Sequence, residues 1–134
     1  MRAAVALAFA LAACGPPSSD TGCKTDRDCG ALACARNGEC VSAAQLRTVH
    51  VTWTIRGAMA NATSCGSSQD LYLMFFGFDP GDTFGFEPVP CAAGLFTIDK
   101  LPDRYTSVEI GDNNRVRVER VIDAQGNVAF DLLP

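Results

Sequence analysis

Val49-His50-Val51-Thr52-Trp53-Thr54-Ile55 decides the fold. Apolar and polar residues alternate along it, and in an extended chain successive side chains point to opposite faces, so this is a strand with one buried and one wet face. Working outward, residues 70–78 are nearly all apolar and aromatic, which predicts a central strand covered on both sides. Further strands are expected at 95–98, 104–110, 115–122 and 128–133, and between the last two Asp123-Ala124-Gln125-Gly126-Asn127 supplies the turn chemistry of a hairpin. No stretch after Val41 has helical periodicity, and strands recur every dozen or so residues with Gly, Pro and Asp between them. Residues 41–134 are therefore expected to form a single antiparallel β-sandwich, all-β in class.

Cysteine usage separates this domain from what precedes it. The chain holds seven cysteines. Four of them, Cys23, Cys29, Cys34 and Cys40, crowd into residues 23–40 among residues that, Leu32 apart, are polar, Gly or Ala, so this module has almost no apolar core and must be held by covalent bridges. Four cysteines allow three pairings, and the sequence does not choose among them. Zinc is the competing use, but the paired CxxC spacing of zinc sites is absent. Cys65 and Cys91 remain as the single bridge of the sandwich, and closing a loop of that length contributes roughly 3 to 4 kcal/mol.

The amino-terminal residues read as an address. After Met1 and Arg2 the chain runs apolar and uncharged to Cys14, too short for a membrane-spanning helix, which needs about 20 apolar residues, and laid out like a secretion signal. Leu11-Ala12-Ala13-Cys14 resembles the lipobox of bacterial lipoproteins. That resemblance implies cleavage after residue 13, acylation of Cys14, and a tether to the cell envelope; Gly15, where an aspartate would retain the protein in the inner membrane, favours the outer membrane. Several acyl chains anchor stably, at about 0.8 kcal/mol per buried CH₂. Lipid on Cys14 also leaves six thiols, an even number for disulfides in an oxidising compartment. Residues 15–22, rich in Gly, Pro and Ser, read as a linker reaching on the order of 25 Å.

Two further resemblances bear on the rest. Cys23-Lys24-Thr25-Asp26-Arg27-Asp28-Cys29 resembles short cysteine-rich modules of myxobacterial secreted proteins, which implies pairing of Cys23 with Cys34 and of Cys29 with Cys40. Gly94-Leu95-Phe96-Thr97-Ile98, with Leu101-Pro102 and Tyr105, resembles carboxypeptidase-regulatory-like, or transthyretin-like, sandwiches over some fifteen residues, with Asp103-Arg104 in place of the usual glycine. Members of that family are accessory domains without catalytic residues of their own. The whole layout resembles a recurrent myxobacterial lipoprotein type.

Few residues invite chemistry. Removing residues 1–13 takes away one base and no acid, leaving 10 basic against 15 acidic residues, net −5, which argues against nucleic acid as a partner. Arg115, Arg117 and Arg120 gather, but as a solvated strand face. His50, the one histidine, is expected on the wet face of its strand, with no nucleophile in a recognisable motif, so no catalytic residue and no cofactor is assigned. Loop carboxylates at Asp79, Asp82, Asp99, Asp103 and Asp112, beside Asn113 and Asn114, are the donors calcium takes, yet they are equally the residues turns prefer, and no metal is assigned. Asn61-Ala62-Thr63 matches a glycosylation sequon and reads most simply as a loop.

The aromatic run of Phe75, Phe76, Phe78, Phe84 and Phe86 is the most unusual feature. Core packing is its default use, and if one face is open, Phe76, Phe78, Phe84 and Phe86 form an apolar partner or ligand surface. The functional expectation is a non-catalytic, lipid-anchored envelope module that binds an envelope protein or glycan. Its alternatives are a structural envelope component and an accessory subunit of an exported hydrolase.

Overall fold

The computed structural model describes residues 22–113 and 117–133, so the expectations for the signal, for Cys14 and its linker up to residue 21, and for Asn114 and Arg115 lie outside the described residues. The described chain is all-β, with only three short 3₁₀ turns. Its strands are β1 (Ala33–Cys34), β2 (Cys40–Val41), β3 (Leu46–Ile55), β4 (Ala58–Met59), β5 (Asp70–Phe76), β6 (Thr83–Pro90), β7 (Leu95–Pro102), β8 (Ser107–Gly111), β9 (Arg117–Val121) and β10 (Asn127–Leu132). β1 and β2 pair within the cysteine module, and the rest make two four-stranded sheets.

The first sheet is built on β3. Val49, Val51, Trp53 and Ile55 are buried as the alternation requires, while His50 and Thr52 face solvent. β7 pairs antiparallel along one side of β3, with β4 continuing that side, and β10 pairs parallel on the other, from Asn127 opposite His50 to Leu132 opposite Ile55. The second sheet runs β6-β5-β8-β9, antiparallel throughout. Leu71, Leu73 and Phe75 of β5, with Val108 and Ile110 of β8, face the residues of β3 and β10 across one continuous core. Edge-to-face contacts of Phe86 with Phe75 and Phe84, at centroid distances of 6.2 and 5.0 Å, fill its β6 side.

Four expectations change. The turn 123–127 forms with its expected local bonds, Asp123 accepting from the amides of Gln125 (2.9 Å) and Asn127 (2.7 Å), but it joins no hairpin. β9 pairs with β8 and β10 with β3, so the turn carries the chain from one sheet to the other, because Ile122 and Val128 on either side of it are both drawn into the core. Gly126, at φ +81°, permits the crossing: a Cβ there would meet the carbonyl oxygen of Thr48, and the Gly126 carbonyl accepts from the His50 amide at 2.8 Å. Second, β5 is central in its sheet but covered on one face alone, since two sheets leave each outer surface to solvent. Third, residues 83–90, not among the expected strands, form β6 despite Gly85, Pro88 and Pro90; it is an edge strand, which is where proline is tolerated, and a register shift opposite Leu71 and Leu73 absorbs the irregularity. Fourth, β8 begins at Ser107 rather than Arg104, whose stretch instead forms a turn in which the Tyr105 amide bonds the Pro102 carbonyl at 3.2 Å.

Disulfides run Cys23–Cys34, Cys29–Cys40 and Cys65–Cys91. The first two, with the pairing that the resemblance implies, hold a module whose buried apolar residues are Cys34 and Ala35 alone among residues 23–40. The third is wholly buried, and the indole of Trp53 donates to the Cys91 carbonyl at 2.7 Å, tying the bridge to β3.

Candidate functional site

The two outer faces of the sandwich differ in chemistry. On the β3 sheet the outward row is His50, Thr52, Thr54, Thr97, Asn127, Ala129 and Asp131, polar or small, with exposed Leu95 opposite Thr52 on β7 and exposed Met59 opposite Thr54 on β4. On the other sheet the outward positions of β5 are Tyr72, Met74 and Phe76, each half-buried. Strand register sets them beside Thr83 and Gly85 of β6, Ser107 and Glu109 of β8, and Arg117, Glu119 and Val121 of β9. A shallow depression there is lined by Tyr72, Met74, Phe76, Thr83, Glu109 and Arg117. Gly85 shapes it: a Cβ at that position would stand 2.9 Å from the Met74 methyl, so the glycine lets the thioether lie across β6.

Polar groups at one end of this row are pre-paired. The Tyr72 hydroxyl donates to Glu109 Oε1 at 2.8 Å and accepts from Arg117 Nε at 3.1 Å, and Arg117 Nε lies 3.3 Å from the same Glu109 oxygen. Burial pushes the Tyr72 phenol above its ordinary value, so it stays a donor at neutral pH. At the other end the Ser107 hydroxyl donates to Glu119 at 2.5 Å. The result is an apolar stripe of Tyr72, Met74 and Phe76 flanked by oriented donors and acceptors, which suits recognition of a ligand with both apolar and hydroxyl or amide groups.

The expected aromatic surface therefore divides. Phe76 belongs to this face. Phe84 and Phe86 point inward and pack against the core, because β6 alternation puts them on the side of Phe75, and they are removed from the candidate surface. Phe78 lies past the end of β5, 75% exposed, in the turn 77–82. The signal that sequence reasoning missed was the alternate set on β5, Tyr72 and Met74, which belongs with Phe76 by the same period-two argument that was applied to β3.

A second cluster locks the cysteine module to the sandwich. The Arg36 amide donates to the Lys100 carbonyl (3.0 Å), Lys100 Nζ bonds Asp26 at 2.8 Å, and Arg36 pairs with Asp99. Arg104 bridges Glu39 (2.7 Å) and Asp82 (2.6 Å), and the Tyr105 hydroxyl donates to Asp82 at 2.8 Å while accepting from Asn37 at 3.3 Å. Lys100 holds Asp26, Arg104 holds Asp82 and Arg36 holds Asp99, each below the usual carboxylate value, chiefly through these hydrogen bonds. Arg104 moves the other way, its pKa raised above the ordinary value chiefly by its hydrogen bond to Asp82 and next by that to Glu39.

The remaining candidates fall elsewhere. His50 Nδ1 lies 3.1 Å from the hydroxyl of Thr97, across the β3–β7 pairing, with no carboxylate bonded to it among the described residues. The loop carboxylates do not converge: Asp82 and Asp99 are spent on arginines, Asp112 is buried and accepts from Ser68 Oγ at 2.5 Å, and Asn113 donates to Glu87 at 2.8 Å. The sulfurs of Cys23, Cys29 and Cys40 lie within 4.8 Å of one another, but as members of two neighbouring bridges. Asn61 closes its own turn, its Oδ1 accepting from the amides of Thr63 and Ser64, both at 2.9 Å. Comparison of the chain with protein-family models, curated proteins and solved structures finds no match.

Proposed function

We propose that this protein is a non-catalytic, lipid-anchored module of the bacterial cell envelope, tethered through Cys14 and binding an envelope partner, protein or glycan, through the outer face of the β6-β5-β8-β9 sheet. The observation that carries the reading is the stripe of Tyr72, Met74 and Phe76, lining one depression with its pre-paired Glu109 and Arg117, whereas the opposite face sets its exposed Leu95 and Met59 among threonines and other small polar groups. Half-exposed aromatic side chains contribute apolar contact area, the flexible thioether adapts its shape to a partner, and fixed polar neighbours supply orientation. The lipobox-like Leu11-Ala12-Ala13-Cys14 supports the tether, and the linker that follows supports display of the folded part close to the membrane.

The test joins intact-mass measurement of the membrane-extracted protein with binding to isolated peptidoglycan and to a panel of purified envelope glycans and proteins. Acyl mass on the mature chain, absent from Cys14→Ser, is expected, together with saturable binding that Phe76→Ser or Tyr72→Ala weakens at least tenfold, about 1.4 kcal/mol, while His50→Ala leaves it unchanged. Binding that is indifferent to both face variants would remove this face from the proposal, and hydrolytic turnover abolished by His50→Ala would replace the reading with an enzymatic one.

A further inference from the structure

We infer that the turn 77–82 docks Phe78 into the interfacial layer of the membrane that carries the tether; this rests on the lipid-anchored reading above. The argument is positional. Gly22, where the described chain begins, packs against Gly38 so closely that a Cβ on Gly22 would stand 3.3 Å from the Gly38 backbone, and the Cys23 amide donates to the Gly38 carbonyl at 2.8 Å. Neighbouring Asn37 bonds the Tyr105 hydroxyl, which bonds Asp82, whose carbonyl accepts from the Gly77 amide at 2.8 Å. The exit toward the tether and the turn bearing Phe78 thus share one end of the molecule, a few hydrogen bonds apart.

Cys14 precedes Gly22 by eight residues. Even fully extended, that stretch spans no more than about 28 Å. Lipid on Cys14 therefore holds this end of the molecule near the bilayer surface, while the ionic latch keeps the turn from swinging away from the exit. Phe78 is 75% exposed there and takes no part in the aromatic pairs that fill the core. An aromatic ring at the headgroup boundary buries apolar area without forcing backbone polar groups out of water. Exposed Asp79 beside it sets the lipid preference: a neutral surface suits the turn better than an anionic one, which repels the carboxylate. The far end offers an internal control in Met59, 83% exposed on β4, which pairs with the end of β3 remote from the module.

The full-length acylated protein, reconstituted in vesicles of phosphatidylcholine and phosphatidylethanolamine, provides the test. Phe78→Trp is compared with Met59→Trp, each read as a difference from wild type, whose one tryptophan, Trp53, is buried. The expected result is a blue-shifted emission from residue 78 that nitroxide-labelled lipid quenches several-fold more than it quenches residue 59, with the shift reduced when anionic lipid is added. Equal quenching at the two sites in an acylated protein overturns the docking and leaves the tether standing. A blue shift without lipid quenching means that a protein surface, a second copy included, covers the turn, and also overturns it. A product without acyl mass removes the tether and the docking together.

Discussion

The cysteine module and the sandwich solve the same problem by opposite means. The sandwich buries a continuous set of large side chains, with Val49, Val51, Leu73, Phe75, Val108 and Ile110 wholly inaccessible, and its one bridge is an addition to that core. The module buries Cys34 and Ala35 and little else, and spends two disulfides on eighteen residues. Burial scales with the apolar area available, and a segment whose one large apolar side chain, Leu32, stays exposed has little to offer, so it depends on cross-links and on whatever larger body it can lean against. The ion pairs from Asp26, Arg36 and Glu39 to Lys100, Asp99 and Arg104 are that support.

The largest expected effect falls on the core. Phe75→Ala leaves a cavity between the sheets and should cost about 3 to 5 kcal/mol, read from denaturant unfolding, while the module's two bridges stay intact by mass. A loss well under 1 kcal/mol would mean that the sandwich does not rest on this packing. Next comes the module. Removing one bridge with Cys29→Ser and Cys40→Ser releases a loop whose closure contributes roughly 3 kcal/mol, but locally, so amides 24–40 should lose hydrogen-exchange protection while the midpoint of sandwich unfolding barely moves. If both regions melted together, the contrast drawn here would collapse into one cooperative unit.

The smallest effect concerns the latch, and its sign follows from the carboxylates. Asp26, Asp82 and Asp99 have folded values below the ordinary 3.8, so their contribution is complete above that value and fades as pH falls below it through the lowered folded ones. The Arg36 amide, bonded to Lys100, should therefore gain exchange relative to its intrinsic rate on acidification below about pH 4, ahead of core amides such as Val51. High salt should push in the same direction at neutral pH. Protection of Arg36 that held steady down to pH 2 would show the docking to be non-ionic.

The alternation of Val49, Val51, Trp53 and Ile55 made β3 legible, the near-continuous apolar run made the strand at 70–78 legible, and the positions at 95–98 and 128–133 were legible as well. β6 was hidden because a glycine and two prolines interrupt it and because its inward set, Phe84, Phe86 and Val89, slips out of period two at the register shift after Phe86, an irregularity that an edge position tolerates. Of the candidate face, Phe76 was visible and its companions Tyr72 and Met74 were not, since a run apolar at every position does not disclose which half is turned outward.

Local chemistry alone determined the all-β class, the wet side of β3, the glycine-bearing turn at 123–127 and the need for covalent support in residues 23–40, because each depends on side-chain period, turn preference or missing apolar area within a few residues. Which sheet β10 joins, which side of β5 meets solvent, and how Arg36, Lys100 and Arg104 fasten the module were settled by the assembled sandwich. Those outcomes depend on partners distant in the chain, brought into contact by burial, and no short window of residues contains them.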